Sequence, residues 1–132
     1  MQDRLSLERL LLIAEAILGV PYEELEGVVC VFRAESALAA PFLRVHGAYL
    51  FSDPIEQAAI CAMRLIRTRP LPFGNRAVGY ECMREMLVLR GCRWRRQEEE
   101  AAEVDETLRR VEAGEMNQAA FIAWVRARVA VR

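Results

Sequence analysis

The residues with chemical potential gather in one stretch. Arg69-Pro70-Leu71-Pro72-Phe73-Gly74-Asn75-Arg76 ends in a Gly-Asn pair and an arginine, where a loop gives way to a helical pattern. Free backbone N–H groups at a helix start, a glycine that lets the backbone come close and a cationic side chain together suit a phosphate or carboxylate. The plainer alternative is a turn and a helix cap, with Gly and Asn serving only the backbone. Arg69 is either a second anion ligand or a solvated arginine paired with an acid, and the pairing is the simpler expectation. His46, the only histidine, has the pKa range of a general base but lies more than twenty residues upstream. Glu81 and Glu85 stand four apart on one predicted helix face, where like charges repel; ion pairs with nearby arginines are expected of them rather than acid–base work. Arg93-Trp94-Arg95-Arg96 has the types that stack on bases and hold phosphates, against the simpler reading that Trp94 packs on the core.

The elements that must position these residues are helices. Ser6 caps a first helix whose inner face carries Leu10, Leu11, Ala14, Ile17 and Leu18 at spacings of three and four, and Gly19 and Pro21 end it. Tyr22 to Leu25 adds about a turn. The apolar run Val28 to Phe32 leads into a second helical patch, Ala34 to Ala40, which Pro41 stops. Leu43 to Phe51 is rich in β-formers around Gly47 and reads as a small hairpin. Ser52-Asp53-Pro54 is a helix start, and the helix runs to about Thr68 with Ala59, Met63 and Ile66 inward. Pro70, Pro72 and Gly74 force a loop. A helix then runs from about Asn75 to Arg90, with Gly91 as its cap. It is apolar on nearly every side from Ala77 to Leu89 and is therefore expected at the centre of a bundle. Two further helices are expected over about 98–113 and 117–131, the first opening on the solvated acidic run Glu98 to Glu103. The sum is an all-α fold with a β-flap, one domain over 1–132.

Composition narrows the class. Apolar residues make up 54% and charged residues 28% of 132, which excludes disorder as the main state and allows a real core. No apolar run is long enough for a membrane span, and the start lacks the pattern of a secretory signal, so the expected location is the cytoplasm. The four cysteines (Cys30, Cys61, Cys82 and Cys92) form no C-x-x-C pair and read as buried free thiols. The net charge of −1 hides a basic middle: residues 64–96 hold nine arginines against Glu81 and Glu85, between acidic flanks, and lysine is absent. Such a segment expects phosphates or an acidic partner.

The segment from Arg69 to Gly79 resembles the Fic/Doc signature, which reads His-Pro-Phe-x-(Asp/Glu)-Gly-Asn-Lys-Arg at a helix–loop–helix junction. Glu35-Ser36-Ala37-Leu38 with Pro41 resembles the E-S-A-L-x-x-P stretch of death-on-curing (Doc-like) proteins. Asp53 to Ala59, Leu87 to Gly91, and Ala113-Gly114-Glu115 with Ala123-Trp124 resemble their remaining helices. The resemblance spans nearly the whole chain. It implies a Fic/Doc-type bundle around a central buried helix, with the hairpin as a flap whose His46 and Tyr49 would position a target chain. It also implies toxin–antitoxin ancestry. Active members move AMP or phosphate from a nucleotide onto a protein hydroxyl, and Doc-like members act on a translation factor and are silenced by a partly disordered antitoxin.

The departures from the signature fall where the chemistry is done. Arg69 stands in place of the base histidine, and arginine does not accept a proton near neutral pH. Phe73 stands in place of the metal-holding acid and offers no oxygen. Ala77 stands in place of the phosphate-clamping arginine. Gly74, Asn75 and Arg76 remain, with Arg69, as candidate anion ligands. The expectation is a protein whose transferase chemistry is lost or weakened and which acts by binding an antitoxin-like amphipathic helical peptide, another acidic protein or a translation factor. No cofactor is required, no metal is expected, and ATP or another nucleotide would be held weakly without magnesium. The alternatives are a working transferase with a rearranged site and a nucleic-acid-binding protein; nucleic acid is not the expected partner.

Overall fold

The first helix begins where the sequence supplies a cap. Ser6 Oγ accepts the Arg9 N–H at 3.0 Å and opens α1, Leu7–Leu18, which closes on Gly19 at φ 68°. After α2 (Tyr22–Val28), α3 (Val31–Ala39) runs into a 3₁₀ turn, Ala40–Phe42, that takes up Pro41. Strands β1 (Arg44–Val45) and β2 (Ala48–Tyr49) pair antiparallel as a tight hairpin through His46 and Gly47. Asp53 then accepts the Glu56 N–H at 2.8 Å and caps α4, Pro54–Thr68. Helix α5 follows over Asn75–Leu89, strand β3 over Cys92–Trp94, α6 over Ala101–Glu112, α7 over Gln118–Arg128 and strand β4 over Val129–Val131. The computed structural model describes residues 4–95 and 101–131. Arg96 and the acidic run from Glu98 to Glu100, read above as a helix start, lie outside them.

Over the described residues the chain is therefore mainly helical, with two small antiparallel sheets. The hairpin is where the sequence places it. The second sheet is a correction: the last helix, expected to reach 131, ends at Arg128, and Val129–Val131 pairs with Cys92–Trp94 instead. Three β-branched or small residues after the last helical turn take extended backbone readily when a partner strand is at hand.

The centre of the bundle is a second correction. Helix α4, not α5, is the most enclosed: ten of its fifteen residues are buried, Ala58, Ala59 and Ala62 among them, and it packs against α3, α5, α6 and α7. Its small side chains let neighbouring backbones come close. Helix α5 buries a single face, Val78, Gly79, Cys82, Met83, Met86 and Leu87, and leaves Val88 and Leu89 in solvent. Gly79 fits against α4: a Cβ there would lie 3.1 Å from Ile66 Cγ1. One core cluster draws on every α-helix. Cys61, Cys82 and Cys92 lie buried in it as free thiols, and burial pushes the Cys61 thiol up to about 12. Among the described residues, no helix is long and apolar enough to cross a membrane.

Candidate functional site

The loop between α4 and α5 is built backbone first. Arg69 caps α4 in the left-handed region, φ 52°, with its N–H on Leu65 O. Pro70 O accepts the Cys30 N–H at 2.8 Å, which ties the loop to the start of α3. The Asn75 side chain closes the turn in both directions: Leu71 N–H donates to Asn75 Oδ1 at 3.0 Å, and Asn75 Nδ2 donates to Leu71 O at 2.9 Å. Gly74, at φ 77°, precedes α5 with no side-chain cap. A Cβ there would lie 2.3 Å from Leu18 Cδ2, so any other residue meets both the left-handed backbone and the Leu18 side chain, and glycine meets neither.

This geometry sorts the candidate ligands. Asn75, expected as an anion ligand, is buried and its amide is spent on Leu71. Gly74 lets the backbone start α5 uncapped, which leaves the first N–H groups of that helix to whatever occupies the mouth of the site. Arg76 and Arg69 are brought together by a residue the sequence did not single out. Glu112, the last residue of α6, places Oε1 3.8 Å from Arg76 Nε and Oε2 3.9 Å from Arg69 Nη2. The pairing expected for Arg69 is thus present, and the acid is shared.

These groups stand at one end of a cleft of about 890 Å³. One wall is the face of α5 that carries Arg76, Tyr80 and Arg84, with Phe73 and Ala77 beside them; the other is the face of α6 that carries Val104, Leu108 and Glu112. Trp94 also lines the cleft. Its ring meets Tyr80 edge-on at 5.6 Å and Trp124 at 5.6 Å. The core packing expected of Trp94 is therefore observed, and Arg93, its strand neighbour, is exposed. Arg84 reaches Glu81 at 2.9 Å and lies over Tyr80, 5.6 Å from the ring centroid. Glu85 takes a two-pronged ion pair from Arg9, whose pKa is raised by that contact. Glu81 and Glu85 are ion-pairing residues here, as expected.

Compared with known protein families, with curated proteins and with solved structures, the chain matches none.

The hairpin residues stand apart from the cleft. His46 sits in the hairpin turn at φ 51°, and Tyr49 is held by Arg44, which donates to its hydroxyl at 3.0 Å. Neither lines the cleft. The hairpin leads into the start of α4 and Arg69 caps its end, with fifteen residues between them, about 22 Å of helix. Phe73 lines the cleft, is 55% exposed and presents an apolar ring that offers a metal no oxygen. Ala77 adds no charge. The groups gathered here can hold a carboxylate or a phosphate between two arginines and a helix start. Arg69 stays protonated and cannot take a proton from a hydroxyl.

Glu112, Tyr80 and Arg84 were missed as site residues. For the last two a signal exists, because Arg76, Tyr80 and Arg84 recur every four residues and share a face. Glu112 carries none, since α6 meets α5 only through the tertiary fold.

Proposed function

We propose that this chain is a Doc-like protein of toxin–antitoxin ancestry in which the cleft between α5 and α6 binds an acidic protein segment and no longer transfers AMP or phosphate. The observation that carries the reading is the position of Glu112. A carboxylate already sits between Arg69 and Arg76 at the α5 start, so the site's own chemistry selects a carboxylate. An acidic side chain of a partner can exchange with it, while the partner's apolar face lies along Tyr80, Trp94, Val104 and Leu108. An antitoxin-like amphipathic helix has both features, and the arginine surplus of the segment favours fast, salt-sensitive association. The helical order, with a hairpin before α4 and the altered signature between α4 and α5, supports the Fic/Doc-type assignment. The loss of transfer follows from three side chains together: Arg69 for the base, Phe73 for the metal-holding acid and Ala77 for the clamping arginine. Losing a general base alone costs about 10²–10⁴ in rate.

Calorimetric titration tests the reading. An acidic amphipathic helical peptide should bind, and Arg69→Ala with Arg76→Ala should weaken it. ATP should compete weakly and equally with or without magnesium. Marked tightening of ATP by magnesium would overturn the proposal, because an acid from elsewhere would then be replacing Phe73.

A further inference from the structure

Two apolar features outside the cleft carry opposite charge. The first is the junction of α2 and α3. Val28 is 58%, Val31 50% and Phe32 83% exposed. These residues are not on a loose end. Leu25 and Ala34 anchor the two helices in the core, and the Cys30 N–H is tied to Pro70 O. Phe32 is thus held in water on a fixed scaffold, and a rigid aromatic offers contact area at little entropic cost. Three exposed glutamates, Glu23, Glu24 and Glu26, and one exposed arginine, Arg33 beside Phe32, surround this knuckle, so its rim is negative on balance.

The second feature is a groove of about 500 Å³ between α1 and α5. Leu12, Ile17 and Val88 line it and are 45%, 41% and 61% exposed. Its charges are nearly matched within the chain, Arg9 by Glu85 and Arg84 by Glu81. Arg93 is the exception. It lines the same groove, and among the described residues no carboxylate pairs with it. The groove is therefore apolar with one surplus positive charge, and the knuckle is apolar with a negative rim.

We infer that the knuckle of one copy of this chain docks into the α1–α5 groove of a second copy, Phe32 on the apolar floor and the glutamates toward Arg93. The two features cannot meet within one chain. The knuckle is tied to the loop that precedes α5, and Val88 stands at the opposite end of that fifteen-residue helix. The contact joins different surfaces of two identical chains, so it is head-to-tail, and a pair of copies keeps one free knuckle and one free groove. Assembly grows with concentration into short open oligomers or closes into a ring. This contact is independent of the function proposed for the cleft.

Sedimentation velocity of the full chain over a concentration series tests it. At low salt the mean mass should rise above the 15.0 kDa monomer, and added salt should lower it as the glutamate–Arg93 attraction is screened. Phe32→Asp removes the knuckle and Val88→Asp the groove. Both positions are exposed, and circular dichroism checks that each variant folds. Each variant alone should remain at the monomer mass. Mixed in equal amounts they should give a dimer and nothing larger, because one intact knuckle then meets one intact groove. Reversing the three glutamates to arginine should abolish association, and Arg93→Glu in the same chain should restore it in part. A wild-type chain that stays monomeric throughout, or a mixture of the two variants that stays monomeric while the wild type associates, would overturn the inference.

Discussion

Glu112 at the end of α6 and Arg76 in the first turn of α5 lie 3.8 Å apart, and that contact places a carboxylate at the head of the cleft. Glu112 is about a quarter exposed and Arg76 somewhat more, 28% and 39% of their side chains, so the pair is partly screened and exchangeable. Glu112→Gln removes the competing charge and leaves the packing nearly unchanged. The affinity of an acidic peptide, or of magnesium-free ATP, should rise by about two- to fivefold, the effect of one partly exposed ion pair. Calorimetry reads it. An unchanged or weaker affinity would mean that anions bind elsewhere.

Asn75 makes the loop. Both ends of its amide are used on Leu71, and removing them orphans two buried backbone groups. Asn75→Ala should cost about 1–3 kcal/mol in a denaturant melt. Asn75→Asp keeps the acceptor for Leu71 N–H, loses the donor to Leu71 O and should fall between. A loss from Asn75→Ala within experimental error would show that the clamp contributes nothing.

At Gly74 a side chain meets two separate obstacles. The backbone is at φ 77°, and a Cβ would lie 2.3 Å from Leu18 Cδ2. Gly74→Ala should destabilise by about 1–3 kcal/mol. Leu18→Ala in the same chain should relieve the clash and keep the backbone strain, so the double variant should lose less than the two single losses combined. Simple additivity would place Leu18 out of contact.

The same loop shows how far a sequence can be read. Local chemistry was legible: Ser6, Gly19 and Asp53-Pro54 mark helix ends because a cap is a matter of a few neighbouring residues. The loop and the hairpin also announce themselves through Pro and Gly. Relations between distant segments were not legible. β3 and β4 are three residues each, too short to show a period, and they pair across two helices. The apolar surround of α5 suggests a central helix, yet burial depends on what the neighbours cover, and Val88 and Leu89 stay 61% and 65% exposed. Asn75 has the composition of a ligand and the geometry of a clamp, a distinction that rests on where Leu71 lies. The arginine end of the site was visible, and the carboxylate that completes it was not.

Acid sensitivity should report on the start of α4. Burial would raise the Asp53 pKa, but the Glu56 N–H and the Arg126 guanidinium, 2.9 Å away, outweigh it and hold the carboxylate below its ordinary value. A depressed pKa in the folded chain contributes stability that is complete above the unfolded value, about 3.9, and is lost as the pH falls through the folded one. Asp53→Asn keeps a capping side chain and removes that titration. The variant should therefore melt closer to the wild type at acid pH than at neutral pH. A stability gap that is constant across the range would assign the effect to packing alone.

Labelled ATP tests the central claim most directly. Purified protein incubated with ATP labelled in the α- or γ-phosphate, magnesium and a cell extract should transfer no label to protein above background. Arg69→His alone should not change this, because Phe73 and Ala77 still leave metal and phosphates unheld; any gain should require Phe73→Asp and Ala77→Arg as well. Robust labelling by the unmodified chain, abolished by Arg76→Ala, would contradict the account and make the cleft a working transferase site.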